Sequence, residues 1–495
     1  MAALSLATDL GMGQPLEQAL RTCLIAIELA QRLGLTGEAV SEVFYVALLR
    51  FLGCTADAFE FARLVGGDDI AVRQAIAPVL GGTQQEWARH VMPKIGAGLN
   101  PLRRAQLVLG MMANGQAQGR EGVRAHCEMG EHLATRLGLQ AGVQRGLLDA
   151  FETWNGRGFP KGASRDAIQL SARIVFVARD AEVMHRHGGL ESVRMVLRAR
   201  GGETYDPAVA TTLLESAAEV MEAVETESVW GAVLEREPEP RPWIPVGRFD
   251  SVLETFADFV DLKSPSMAGH SRGVAELVAS GGNALRRTAL VHDLGRMCVP
   301  NAIWDKPGRL TQGEWERVRL HPYYTERILD RSATLRSMAA LAGMHHERVD
   351  GSGYHRGSKR AEIPSEARLL AAADAFQAMT QPRAFRQALS PGEAADRLKA
   401  DARGGRLDVD AVDSVLQAAG QESDPIRRTW PAGLSEREVE VLRLLCRGGT
   451  KKQVAAMLRI SASTVDHHVR HIYDKVGVAT RAGATLFAVE NDLLK

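Results

Sequence analysis

The sequence has no surplus charge of either sign. Sixty Lys and Arg balance sixty Asp and Glu over 495 residues, which excludes attraction of the whole chain to nucleic acid or membrane and makes any such surface local. Cysteine is sparse and scattered. Cys23, Cys54, Cys127, Cys298 and Cys446 form no Cys-x-x-Cys pair and make an odd total, which argues against a disulfide framework or a structural zinc knuckle and for a reducing compartment. No apolar run approaches 18 residues, and the N-terminus lacks the basic-then-apolar order of a signal peptide, so no membrane partner is expected and the predicted location is the cytoplasm. Alternating strand patterns are also hard to find.

What is present is helical periodicity in an ordinary globular composition, 45% hydrophobic and 24% charged. Leu24, Ile27, Leu29 and Leu33 recur at helical spacing, and the predicted fold class is all-α. At roughly 150 residues per domain the length predicts about three domains. The prolines of Glu235 to Pro245 cannot continue a helix, because they lack the amide donor and clash with the preceding turn. A second polar stretch, Gln421 to Pro431, precedes a final block.

The chain repeats itself. FETWNGRGFPKG from Phe151 aligns with HERVDGSGYHRG from His346, so that Gly158 faces Gly353 at an offset of 195, and the same offset pairs Arg173 with Arg368 and His126 with His321. RGG at Arg200 matches RGG at Arg403, and ALLRFLG matches ALVHDLG at an offset of 242. The change of offset implies an insertion in the first copy, and four segments in one order imply duplication. The predicted domains are a degenerate copy over 14–220 with an insertion at about 55–101, a linker at 221–246, an intact copy over 247–420, a linker at 421–431 and a small domain over 432–495.

The copies differ in chemistry. Six of fourteen histidines fall between His270 and His355. His270, the pair His292 and Asp293, His321, the pair His345 and His346, and Asp374 recur at about one helix-loop-helix length, so successive helices can each deliver ligands to one bundle centre. Imidazole and carboxylate suit iron or manganese, with zinc and nickel also compatible, and seven ligands fit two divalent ions sharing an aspartate. In the first copy Arg50 and Phe51 stand for His292 and Asp293, Ala150 and Phe151 for His345 and His346, and Arg179 for Asp374. Only His126 survives, so the first copy is expected to bind no metal and to serve packing, dimerisation or sensing.

These residues resemble a known family. HDLG at His292, PNAIWDKPGRLT, His321, HHERVDGSGY ending at Tyr354, AAADAFQAM and RAFR are similar, in order and spacing, to the HD-GYP branch of the HD phosphohydrolases over about 170 residues. The resemblance implies an all-helical bundle with a bi- or trinuclear centre that hydrolyses cyclic di-GMP or a related cyclic dinucleotide. It implies that His270, His292, Asp293, His321, His345, His346 and Asp374 are ligands, with Asp293 bridging, and that Arg383 and Arg386 grip phosphate. Gly351, Gly353 and Tyr354 form the loop beside the ligand. Ser266 and Gln377 stand where trinuclear members place further ligands, which favours two ions. Arg296 stands where the motif often continues to lysine, keeping the charge but changing the donor geometry, and His355 replaces a usual proline.

From Pro431 onward ten Lys or Arg meet seven Asp or Glu. Val439, Leu442 and Leu445 make one stripe that ends at Gly448 and Gly449, a helix stop. Thr450 is expected to cap a second helix, and Ser463 with Asp466 resembles a capping box for a third. Val465, Val469, Ile472 and Val476 then face inward, leaving Thr464, His467, His468, His471 and Lys475 outward. By pattern alone this is a helix-turn-helix or a small protein-binding bundle. The stretch LSEREVEVLRLLCRGGTKKQVAAMLRISASTVDHHVRHIYDKVGVATRAGA resembles the LuxR-type helix-turn-helix over its full length, with Glu438, Gly448, Val465 and Lys475 at signature positions. That resemblance implies duplex DNA as a partner, with Lys451 and Lys452 joining the outward residues in contact, and a last helix near Arg481 to Leu493 that dimerises the chain. The predicted function is a transcription regulator whose phosphohydrolase domain senses or hydrolyses a nucleotide. The alternatives are a phosphodiesterase to which DNA binding is secondary and a regulator that binds metal without turnover.

Overall fold

The computed structural model describes residues 1–222, 224–239, 241, 244–421, 430–491 and 493–494. Among them the only β-type pairings are three isolated bridges, so the all-α expectation holds. By internal contacts the chain divides into two bodies, one of residues 1–276, 282–343 and 381–388, the other of 277–281, 344–380 and 389–495.

In the first body the helix Gln18–Arg32 packs on Glu38–Leu49 and on Leu170–Arg200. Leu20, Leu24, Ile25, Ile27 and Leu29 are fully buried there, whereas Leu33 caps the helix and is half-buried. The long helix Pro101–Arg136 starts where theory puts a start. The Asn100 side chain accepts the Arg103 amide at 2.9 Å and Pro101 occupies the first turn, where its missing donor costs nothing. The inserted segment is folded, with helices Ala58–Val65, Asp69–Ile76 and Gln84–His90 around a small core of Val65, Val72, Val79, Val91 and Ile95. The expected linker 221–246 contains the helix Val229–Glu235, whose Val229 and Val233 are buried, while its Pro240, Pro242 and Trp243 lie outside the described residues.

The intact copy contributes Phe249–Asp261, His270–Leu277, Asn283–Val291, His321–Arg331 and Arg336–Ala342. The turn Leu294–Cys298, which follows the HD pair, packs on His321–Arg331 and on the N-terminal helix Ala2–Gly11. Gly295 is required at that crossing, because a Cβ there would stand 2.0 Å from the His321 carbonyl oxygen. Gly53 meets the His126 carbonyl at 1.8 Å in the same way in the first copy. The two copies also share a buried polar contact. Lys263 Nζ donates to Asn301 Oδ1 at 2.7 Å, and the Asn301 amide donates to Asp69 Oδ1 at 2.7 Å.

In the second body Ser365–Thr380, Pro391–Arg403 and Val409–Ala418 pack together. The C-terminal helices Glu436–Cys446, Lys451–Leu458, Ala462–Val476 and Arg481–Glu490 enclose a core of their own that includes Val439, Leu442, Leu445, Val454, Val465, Val469 and Ile472. Of the expected linker 421–431, residues 422–429 lie outside the described residues. Thr450 caps the second of these helices, in a capping box with Gln453. The expected Ser463 and Asp466 box is not formed. The cap is Ser461, extended at ψ 152°, whose hydroxyl accepts the Thr464 amide at 3.0 Å. Ser463 is already inside the helix, and a helical residue cannot turn its oxygen onto the first amides.

Candidate metal centre and DNA-reading surface

In the first body His270, His292 and Asp293 bring one ligand atom each within 4.8 Å of the others. All three and His321 are fully buried. Asp293 sits at the focus. Its Oδ2 lies 3.7 Å from His270 Nε2 and 3.3 Å from His292 Nε2, and its Oδ1 lies 3.4 Å from His321 Nε2. The two oxygens of one carboxylate thus face different imidazoles, which is what a bridging ligand needs. The ring orientations follow from the helices. His292 Nδ1 is 2.6 Å from the Ala289 carbonyl and His321 Nδ1 is 2.6 Å from the Val318 carbonyl, each three residues back. A proton held on Nδ1 by a carbonyl leaves the Nε2 lone pair for a metal. His270 Nδ1 is 3.0 Å from Gln381 Oε1.

In the second body the ring centroids of His345 and His346 are 4.2 Å apart, His346 Nδ1 lies 3.6 Å from Asp374 Oδ2, and the Tyr354 ring meets His346 at 4.7 Å, tilted by 31°. His345 and Asp374 are buried. The loop that carries Tyr354 folds around Glu347, whose carboxylate accepts the Arg356 amide at 2.8 Å and the Ser358 amide at 2.9 Å. Gly353 presses on this turn so closely that a Cβ would lie 2.4 Å from the Arg348 nitrogen, and Gly351 has φ +83°. The first copy repeats the design. Glu152 accepts the Lys161 and Gly162 amides at 2.7 and 3.2 Å, and a Cβ on Gly158 would lie 2.4 Å from the Thr153 nitrogen.

Three further residues complete the intact copy's surroundings. Arg296 is buried, forms an ion pair with Asp293 Oδ2, and stands 4.4 Å over the Trp304 ring, which meets His321 edge-on at 5.8 Å. Arg383 donates to the Ser266 carbonyl and, at 3.3 Å, to Gln381 Oε1, the atom that also faces His270. Arg386 donates to the Gln387 carbonyl at 3.1 Å, and Arg383 and Arg386 close a tight turn through their backbones. Gln381, Glu347 and Trp304 escaped the sequence reasoning. Glu347 carried one available signal, its offset of 195 from Glu152 within the repeated loop. Trp304 lay within the PNAIWDKPGRLT motif without a role of its own, and Gln381 carried no signal, since glutamine is not a usual ligand of transition metals and lay outside the motifs.

The residues fit the metals that the family implies. In the first body three imidazoles and the Asp293 carboxylate are more than nine-tenths buried, and in the second His345 and Asp374 are, with His346 paired to Asp374; the donors are nitrogen and oxygen, and two imidazoles are held by backbone carbonyls as outer partners.

On the C-terminal domain Val465, Val469 and Ile472 are buried, while Thr464, His467 and His471 are exposed and His468 is half-buried. Lys451 forms an ion pair with Asp466, which also accepts Arg470 at 2.8 Å, and Lys452 is exposed. Lys475 turns back into the domain. Its Nζ donates to the buried Glu438 at 2.7 Å and to the Gly433 carbonyl at 3.0 Å, so its charge serves to join the first and third helices.

The model of the HD domain matches residues 114–209 and 254–410, and the model of bacterial regulatory proteins of the luxR family matches 432–488. A 3'3'-cGAMP-specific phosphodiesterase 3 of Vibrio cholerae is 30% identical over 404 residues, covering 79% of this chain and 87% of that one. A cyclic di-GMP phosphodiesterase response regulator, RpfG, of Xanthomonas campestris is 35% identical over 139 residues, 28% of this chain and 36% of that one. The crystal structure of a cyclic GMP-AMP specific phosphodiesterase of V. cholerae superposes with a TM-score of 0.58 at 26% identity, covering 86% of this chain and 97% of that one. The chain belongs to the HD domain family, matches its model over two separate stretches, and ends in a domain of the luxR family of bacterial regulators.

Proposed function

We propose that the intact copy is a metal-dependent phosphodiesterase acting on a cyclic dinucleotide, and that the chain is a regulator in which this domain accompanies a duplex DNA reader. The observation that carries the reading is Asp293, whose two oxygens face three buried Nε2 atoms at 3.3 to 3.7 Å. His270, His292, Asp293, His321, His345, His346 and Asp374 would hold two divalent ions, iron or manganese, with Asp293 shared. Bound there, the ions supply Lewis-acid polarisation of the phosphodiester and an activated water. The chain's own part is to fix the imidazoles through Ala289, Val318 and Gln381, to exclude bulk water by burial, and to neutralise phosphate charge with Arg383 and Arg386, whose planar donors suit two oxygens at once. Tyr354 offers a ring beside the ligand.

The activities named for these relatives support 3'3'-cGAMP or cyclic di-GMP as the substrate class. A hydrolysis assay on the purified chain with both dinucleotides tests this, the expected result being a linear dinucleotide product from at least one. A second reading, metal binding without turnover, is favoured by one contact, the Arg296 guanidinium on Asp293 Oδ2, which competes for the shared carboxylate. Absence of product from both dinucleotides with metal bound selects that reading. Thr464, His467, His468, His471, Lys451 and Lys452 are proposed to face DNA. Leu486 and Val489, 59% and 58% exposed on the last helix, support a homodimer formed through it. Among the described residues no helix is long and apolar enough to cross a membrane, and the proposed DNA partner supports the cytoplasm as the proposed site of action.

A further inference from the structure

The helix Ala462–Val476 carries His467, His468 and His471 within little more than one turn. His467 and His471 are both exposed, and their ring centroids lie 4.1 Å apart. Among the described residues they are the one pair of exposed histidines spaced four apart. Two imidazoles at that spacing share a helix face and can close on a single ion without any change of backbone. The His468 ring is half-buried and stands 6.4 Å from that of His467.

The surroundings of the pair favour coordination. His471 Nδ1 lies 3.9 Å from Oε1 of Glu438, a carboxylate whose side chain is only 4% exposed. The other oxygen of that carboxylate accepts Lys475 Nζ and the Ser435 amide, both at 2.7 Å, so Oε1 is the one turned to the imidazole. A buried carboxylate facing Nδ1 draws the ring proton to that side and leaves the Nε2 lone pair outward, the arrangement of a carboxylate behind a metal-bound histidine. Asp474, exposed one turn further along the same face, adds an oxygen donor to the stripe.

We propose that His467 and His471 chelate one divalent transition-metal ion of the zinc, nickel or copper kind, and that this ion competes with DNA for the outer face of the helix. Imidazole nitrogen suits these ions. Unlike the buried centre of the second copy, this site is open to solvent, so its occupancy follows the concentration of free ion. Competition arises because the ion takes the ring nitrogens that a base edge would need, and its water shell fills the space that the edge would enter. The competition rests on the proposal that this face meets DNA, whereas the ion site does not.

Retention of the untagged full-length chain on resin-bound zinc tests the site, because an ion fixed to a resin meets exposed rings and never the buried centre of the second copy. Wild type is expected to be held until imidazole is added. His467→Ala and His471→Ala are expected to elute early, their affinity for zinc lowered roughly 100-fold by loss of the second arm, and His468→Ala is expected to elute with wild type. Flow-through of wild type overturns the proposal, as does unchanged retention of His467→Ala or His471→Ala, or retention that follows His468 instead of the pair. For the competition, a DNA fragment selected by the chain is titrated with and without zinc. Zinc at about ten times its dissociation constant is expected to raise the DNA dissociation constant about tenfold in wild type and to leave it unchanged in His471→Ala. That variant keeps the buried centre, so an effect of zinc that persists in it runs through the centre and contradicts the competition, as do equal DNA affinities in wild type with the site loaded. A chain that binds no DNA with or without zinc refutes the reader assignment, and the competition falls with it, while the column alone decides the ion site.

Discussion

Replacing Asp69 with alanine strands the Lys263 ammonium. Asp69 belongs to the insertion of the first copy, and Lys263 and Asn301 belong to the second. Both charged side chains are almost fully buried, 1% and 2% exposed, with Lys263 Nζ 4.0 Å from Asp69 Oδ2. Burial already lowers the pKa of Lys263, and the Asp69 charge is the largest influence holding it up. Two unit charges at 4 Å attract by about 4 kcal/mol at the effective dielectric that suits protein sites. The substitution also takes the acceptor from the Asn301 amide, now 2.7 Å from Asp69 Oδ1. Removing one partner of a buried pair costs about 3 to 5 kcal/mol, which at about 2 °C per kcal/mol for a body of this size lowers its transition by roughly 6 to 10 °C. Calorimetry of the full chain measures it. Lys263→Met in the same chain is expected to return much of the loss, because a buried pair replaced as a whole costs little. A cost below about 1 kcal/mol for Asp69→Ala, or strict additivity of the two changes, would refute the reasoning.

Three more outcomes follow from the same contacts. His126, held to about 4 by burial, protonates near 6.5 in the unfolded chain, so over that window only the unfolded state takes the proton. Stability should therefore fall by about 3 kcal/mol as pH drops from about 6.5 to about 4, and a His126→Phe chain measured by urea unfolding should show a flatter profile. Gln381→Ala should lower turnover more than metal content, since it frees the orientation of both His270 and Arg383 without deleting a ligand, and outer partners of this kind are worth about 10- to 100-fold. Kinetics and elemental analysis on the same sample separate the two effects. Lys475→Ala should melt the C-terminal domain by stranding the buried Glu438 carboxylate, whereas Thr464→Ala should leave melting unchanged and alter sequence preference in a DNA selection.

Much of this was legible in the sequence, and for a physical reason. A duplicated fold repeats its close contacts, so Gly53 and Gly295, Gly158 and Gly353, and Glu152 and Glu347 recur at fixed offsets because each copy needs the same backbone approach. The candidate ligands were legible because imidazoles and carboxylates at helix-loop-helix spacing have few other joint uses. The Ser461 cap was not, because Ser461, Ser463 and Thr464 compete within one turn and only the backbone angle at the helix start decides between them. Lys475 looked outward by periodicity, yet its long stem carries the ammonium back to Glu438. The ties from Gln381 to His270, from Lys263 to Asn301 and from Asn301 to Asp69 join residues 111, 38 and 232 positions apart, and no local pattern encodes contacts of that range.

The central claim is that Asp293 is shared by two ions. Elemental analysis of the wild-type chain and of Asp293→Ala, both purified without chelator and loaded with manganese or iron, measures it directly. The account predicts roughly two transition-metal ions per wild-type chain and loss of most of both from Asp293→Ala. A wild-type chain that takes up neither metal, or an Asp293→Ala chain that keeps both ions, contradicts it.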